Sequence, residues 1–383
     1  LKPIVGVGLI SYSLYLWHFP IFAFGRIDTS NPSLYDKIEW ILLAFLLSIV
    51  SYFLIERVFR NKNLINNKLF LIIIIPLSSF IIFLFLTMLE NDGFKDRLPP
   101  ILNKVDLDAK VWRNLSVDGE ICHNSKSNFC TFNNNQSLTT VYVIGDSHLG
   151  ALSEELKLAL GSNFTLKLSN VGGCPFVLGM TRYSIDGVKE DDCDASFQKI
   201  RYQSIPRKPS IILLGGRFPV YLNERKFDNK EGGIEGGKWK SFQGSDGITF
   251  SNAFNFTLQK LLEDGHQIIL LYPIPEVGVN VPKYIYSQRQ RLPLTPLTTS
   301  FFVFKQRTKS TFDLFNLNTS PNIFRVFPHQ LFCDNQIIER CITHTDEDVF
   351  YADDDHPSAK GSEIIVELIM EQIKNAETNI RAN

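Results

Sequence analysis

The chain has 383 residues, 44% of them hydrophobic, with 39 lysines and arginines against 40 aspartates and glutamates. A formal net charge of −1 supplies no field that would gather a polyanion, so nucleic-acid binding finds no support in the charge. The length exceeds what one hydrophobic core usually fills, and two regions are expected.

The first quarter holds three long apolar runs, roughly residues 5 to 25, 39 to 56 and 69 to 89. Each is close to the ~20 residues that cross ~30 Å of hydrocarbon as helix. The third is the clearest: it contains Leu71, four successive isoleucines from Ile72, Pro76, Phe80 and Phe85, and it carries no charge. Pro76 is expected to kink it. A buried helix of a soluble core would account for one such run but poorly for three in series. Arg57, Arg60, Lys62 and Lys68 cluster between runs two and three, whereas Arg26 and Lys37 in the preceding loop are balanced by Asp28, Asp36 and Glu39. The basic loop is expected on the cytoplasmic side, which sends everything after about Glu90 to the opposite face.

All six cysteines fall beyond these runs, and by proximity they group as Cys122 with Cys130, Cys174 with Cys193, and Cys333 with Cys341. Three disulfides in an oxidising compartment are expected, against the alternative of buried free thiols. The spacings lack the paired geometry of zinc sites, and no metal site is expected.

Residues 91 to 137, with Pro99, Pro100 and Asn133 to Asn135, read as an extracytoplasmic connector with little structure. Beyond it, short β-rich runs alternate with amphipathic stretches, the pattern of a parallel sheet with crossover helices in a three-layer α/β domain. The strand Thr139 to Ile144 stops at Gly145, Asp146 and Ser147, and a helical pattern runs from Leu149 to Leu160. Ser147 therefore sits in a strand-to-helix turn, where free amides and the positive end of the helix dipole can hold an oxyanion. Simple helix capping explains Asp146 and Ser147 equally well from the turn alone.

The far end of the chain supplies a base. Asp353, Asp354, Asp355 and His356 precede a closing helix at about Ser358 to Ala376. A carboxylate three residues before a histidine can hold the imidazole so that its other nitrogen meets a serine. A solvated loop or a weak calcium site would explain the acidic triplet but not the histidine.

Gly145 to His148 near the start of this domain, with Asp353 and His356 near its end, resembles the SGNH (GDSL-like) hydrolase superfamily over about residues 138 to 376. The resemblance implies a flavodoxin-like three-layer sheet, Ser147 as nucleophile, His356 as general base and Asp353 as its orienting carboxylate. It also implies an oxyanion hole built from the Ser147 amide, a glycine of a second block and an asparagine of a third. The second block resembles Gly172 and Gly173, with Gly173 favoured. After the strand Ile211 to Leu214 the third block reads Gly215, Gly216, Arg217, without the asparagine, so Arg217 or a backbone amide would have to replace it.

Ser11 to Pro20 and Tyr52 to Arg60 resemble the closing helices of the membrane acyltransferase-3 family, some bacterial members of which carry a fused SGNH domain. Tyr272 to Glu276 is similar to that fused subgroup. The implied organisation is 1–90, closing transmembrane helices of an incomplete acyltransferase-3 domain plus a linking helix; 91–137, connector; 138–383, SGNH domain. The resemblance further implies a multi-pass protein of the bacterial inner membrane with its SGNH domain in the periplasm. It would O-acetylate lipopolysaccharide O-antigen or another envelope polysaccharide. No cofactor is expected in the SGNH domain itself; acetyl-CoA would be the ultimate donor, through membrane helices absent from this sequence. His18 and Glu56 are expected to serve helix packing. A carbohydrate acetyl-esterase with the same triad and a non-catalytic glycan-binding domain remain as competing readings.

Overall fold

The computed structural model describes residues 2–29, 32–97, 100–105, 111–117, 119–125, 129–135, 137–288 and 295–382; Pro99 lies outside them. The chain divides into two compact units, Leu1–Val105 with Lys283–Thr295, and Asp106–Pro282 with Pro296–Asn383.

In the first unit, α1 spans Lys2–Asp28, α2 spans Leu34–Ser51, and α3 spans Asn67–Glu90. Ser33 starts α2 with a reciprocal cap: its backbone N–H donates to the Asp36 carboxylate, and its hydroxyl accepts from the Asp36 amide. The helical path continues through a π turn at Tyr52–Glu56 into Arg57–Arg60. That wider turn carries Glu56, whose carboxylate accepts from Ser13 at 2.8 Å and pairs with Arg60 at 2.9 Å. His18 Nδ1 lies 2.7 Å from the Tyr15 carbonyl. Three helical stretches, Val5–Ile27, Leu34–Arg60 and Asn67–Glu90, are long and apolar enough to cross a membrane. In α3 no side chain is buried within the protein, and Ile72 is 67% exposed. The helix runs unbroken past Pro76.

The second unit is an α/β fold with a mixed six-stranded sheet. In chain order its strands are β1 (Cys130–Phe132), β2 (Thr140–Gly145), β3 (Thr165–Asn170), β4 (Ile211–Gly215), β5 (Gln267–Leu271) and β6 (Ile323–Val326). They lie side by side as β6-β5-β4-β2-β3-β1, with the first five parallel and β1 antiparallel to β3. The expected parallel sheet therefore gains an antiparallel edge from the segment read as connector. Only residues 133 to 139 separate β1 from β2, too few for the crossover of a dozen or more residues that links parallel strands.

Every residue of β4 and β5 is buried, as expected where helices cover both faces. Alternation sorts them: Tyr142, Ile144, Ile212, Leu214, Ile268 and Leu270 form one cluster with Phe254, Leu258, Leu261 and Phe315. The long C-terminal helix, Ala359–Ala382, turns Ile365, Val366, Ile369 and Ile373 inward and packs on β5 and β6. At the carboxyl edge, Gly145 of β2 pairs with Gly215 of β4, so close that a Cβ on Gly145 would stand 2.7 Å from the Gly215 carbonyl oxygen. Both strands thus deliver their next residues to one rim, where ligands of such sheets bind.

Candidate active site

Asp146 leaves β2 and caps the short helix Ser147–Ala151, accepting the His148 amide at 2.8 Å. Its second oxygen accepts the Arg217 amide at 2.6 Å and the Tyr221 hydroxyl. Gly216, at φ 143°, permits this: a Cβ there would sit 2.5 Å from the same carboxylate oxygen. Asp146 is wholly buried, so capping belongs to the aspartate and leaves the serine hydroxyl uncommitted to the helix. Ser147 opens the helix, where an amide has no intrahelical acceptor, and that amide has no partner among the described residues.

Ser147 Oγ lies 2.8 Å from His356 Nε2. The other ring nitrogen, Nδ1, faces both oxygens of Asp353 at 3.1 and 3.0 Å and Asp355 Oδ1 at 2.8 Å. Asp353 also accepts the backbone amides of Asp355 and His356, at 3.0 and 2.7 Å, which folds the acidic triplet into a turn around the imidazole. Burial alone presses the His356 pKa down, but the charge of Asp355 and the hydrogen bonds of both carboxylates carry it up to about 10. Asp355 resists burial through His356 and Arg217, which hold its pKa well below the ordinary carboxylate range. Asp354, with burial and its two acidic neighbours against it, is pushed up to about 6.

The connector supplies a wall that the sequence did not signal. Trp112 lies over the His356 ring at 5.7 Å between centroids and 28° between planes, and its other edge meets His123 at 4.5 Å. Burial, then the charges of Arg113 and His356, depress the His123 pKa to about 4 and keep it neutral. Asn124, the next residue, accepts the Gly172 amide at 2.8 Å. His148 Nε2 approaches Asp355 Oδ2 at 3.2 Å. A tryptophan in a polar, Asn-rich stretch was the one available hint; pairing with a histidine 244 positions downstream has no local signature.

Gly172 and Gly173 form the centre of a turn closed by the Cys174 amide on the Val171 carbonyl at 2.9 Å. Positive φ at Gly173 alone of the two, 63°, is the pattern of a type II turn. The Cys174–Cys193 disulfide pins the turn, and Arg182 binds the Gly172 carbonyl at 2.8 Å. With Gly172 engaged by Asn124, the Gly173 amide is the unpartnered one in this turn among the described residues. All three expected cysteine pairs, Cys122–Cys130, Cys174–Cys193 and Cys333–Cys341, are joined.

Arg217 departs from the role of an oxyanion donor. Its guanidinium donates to Glu276 at 2.6 Å, to Glu235 at 3.2 and 2.5 Å, and to Asp355 at 2.9 Å, and its backbone amide is held by Asp146. Arg307 neutralises the outer oxygen of Glu276 at 2.9 Å. A buried carboxylate costs several kcal/mol unless it is paired and hydrogen-bonded, and here every carboxylate of the cluster is. Two groups, the carboxylates of Asp353 to Asp355 and the set His148, Asp355 and His356, each bring their ligand atoms within 4.8 Å of one another. A cation there would compete with Arg217 and His356 for Asp355.

A family model described as the SGNH domain (fused to AT3 domains) matches residues 118–371. The chain belongs to this family. No curated protein matches it. Among solved structures it is similar to the periplasmic domain of a Salmonella ser. Paratyphi A lipopolysaccharide acetyltransferase, at 19% identity over 67% of this chain and 92% of that one, TM-score 0.44. A GDSL-like lipase of Bacteroides thetaiotaomicron VPI-5482 matches at 11% identity over 64% and 92%, TM-score 0.35. The acetyl xylan esterase AlAXEase matches at 13% identity over 61% and 98%, TM-score 0.33. The SGNH family matches where the fold places Ser147 and His356 in hydrogen-bonding contact.

Proposed function

We propose that the protein is an O-acyltransferase that moves an acetyl group onto hydroxyls of a bacterial envelope polysaccharide, such as O-antigen, through an acyl-enzyme at Ser147. The observation that carries this reading is the 2.8 Å contact from Ser147 Oγ to His356 Nε2, with Asp353 on the far side of the ring. Family membership with domains fused to AT3 partners and three membrane-capable helices support transfer in preference to a freestanding esterase. The helices Val5–Ile27, Leu34–Arg60 and Asn67–Glu90 would be the closing spans of the acyltransferase part and a linker, and the disulfide-bonded domain would face the periplasm.

Neutral His356 Nε2 takes the proton of Ser147 Oγ as that oxygen bonds to the acyl carbon. The resulting oxyanion is held by the amides of Ser147 and Gly173, and its collapse breaks the bond to the donor, whose leaving group takes the proton from Nε2. A sugar hydroxyl then enters, loses its proton to Nε2, attacks the acyl carbon and releases Ser147. Asp353 orients the ring and Asp355, steadied by Arg217, adds a second charge at Nδ1. Acetyl-CoA would be the ultimate donor, on the cytoplasmic side.

Ser147→Ala in the intact membrane protein should lower glycan acetylation by about a thousandfold or more, as loss of an activated nucleophile does. Undiminished acetylation in that variant would sink the acyl-enzyme. Release of free acetate from O-acetylated glycan, with no acceptor sugar labelled, would replace transfer by hydrolysis.

A further inference from the structure

Between the loop after Arg217 and the helix Phe301–Asn316 lies an open groove of about 710 Å³, outside the serine–histidine site. Four of its lining side chains are cationic, Arg225, Lys226, Lys230 and Arg307, against the single carboxylate of Asp228. That carboxylate is spent on Lys230 at 2.7 Å. The acids bordering the groove are spent too: Glu235 is held by Arg217 and the Phe227 amide, and Glu276 by Arg217 and Arg307. The side chains of Arg225 and Lys226 have no partner among the described residues, so the groove carries uncompensated positive charge.

One wall is fixed by the protein itself. Phe227 lies beneath Arg307, 5.7 Å from guanidinium carbon to ring centroid, and Arg307 is fixed by Glu276 and the Arg225 carbonyl. Gly236 and Gly237 present bare backbone with nothing within 4 Å of where a Cβ would stand. The free guanidinium of Arg225 and the ammonium of Lys226 suit a carboxylate or phosphate borne on a sugar. The groove also adjoins the chemistry: Glu235, flanked by the lining residues Ile234 and Gly236, reaches His356 through Arg217 and Asp355.

We infer that this groove is an acceptor subsite that holds a negatively charged sugar of the polysaccharide, a uronic acid or a phosphorylated residue, while a neighbouring hydroxyl is acylated at Ser147. The inference rests on the acyltransferase reading for its acceptor. The side chains of Arg225 and Lys226 have no partner among the described residues to give up before pairing with such an anion, so charge here selects the acceptor and not the acyl group.

The test uses the full chain in detergent, titrated calorimetrically with trigalacturonate as carboxylate probe, mannose 6-phosphate as phosphate probe and galactotriose as neutral control. One anionic probe should bind more tightly than the neutral one and weaken several-fold from about 50 to about 300 mM salt, as exposed ion pairs are screened. The double variant Arg225→Glu, Lys226→Glu should weaken that probe by about tenfold or more. Arg225 is exposed and Lys226 half-buried, and turnover of an aryl acetate at Ser147 reports whether the double variant is folded. Equal binding of charged and neutral probes, no binding of either anion, or binding unchanged in the double variant would each overturn the subsite. Aryl acetate turnover surviving in Ser147→Ala would instead remove the acyl-enzyme and leave the groove's affinity to stand or fall by itself.

Discussion

Two carboxylates meet one imidazole nitrogen at His356, and this sets the pH response. In the proposed mechanism His356 must be neutral to take the serine proton, and its pKa is raised to about 10, so kcat/KM for an aryl acetate should climb as pH rises through the alkaline range. Asp355→Asn removes the nearer charge and should move that limb toward lower pH by about one unit or more. A limb left in place would deny Asp355 its influence. Stability runs the other way: the paired imidazolium contributes fully below the ordinary histidine value of 6.5 and loses its contribution as pH rises through about 10. Ser147, His356 and Asp353 were legible because turn position and a three-residue spacing are local facts. Asp355 and Arg217 were not: their pairing spans 138 positions and depends on which strand ends meet.

At the level of elements, the turn Val171–Cys174 owes its shape to one positive φ and to a covalent pin at Cys174. The bridge closes a 19-residue separation, and opening it with Cys174→Ser and Cys193→Ser should cost about 3 kcal/mol, lowering Tm by roughly 6–12 °C. Activity at a temperature where the variant stays folded should also fall, because Gly173 would no longer be held to present its amide; full activity there would detach the turn from the oxyanion. The strands β2 and β4 were readable from runs of Val, Ile and Leu that stop at glycine. The edge strand β1 was not, since Cys130–Phe132 is too short to show alternation and is ordered by its partner. The apparent connector proved structured for the same reason: Trp112 and Asn124 find their contacts only after the sheet forms.

Across the whole molecule, three apolar helices precede a domain with every cysteine in a disulfide. The proposed orientation makes a measurable statement: alkaline phosphatase fused at residue 105 should be active and a fluorescent protein at residue 63 bright, because those points would lie on opposite faces. Reversed signals would invert the topology. The three helices long and apolar enough to cross a membrane were the easiest part to read, since each is one long apolar run in the sequence. The start of the catalytic unit was harder, and the indole over His356 shows why the boundary matters. An excised fragment beginning at residue 138, where strand alternation starts, would lack Trp112 and bare one flat side of its imidazole to water. Such a protein could keep its serine, its histidine and its sheet and yet leave their contact open to water on the side the indole had covered.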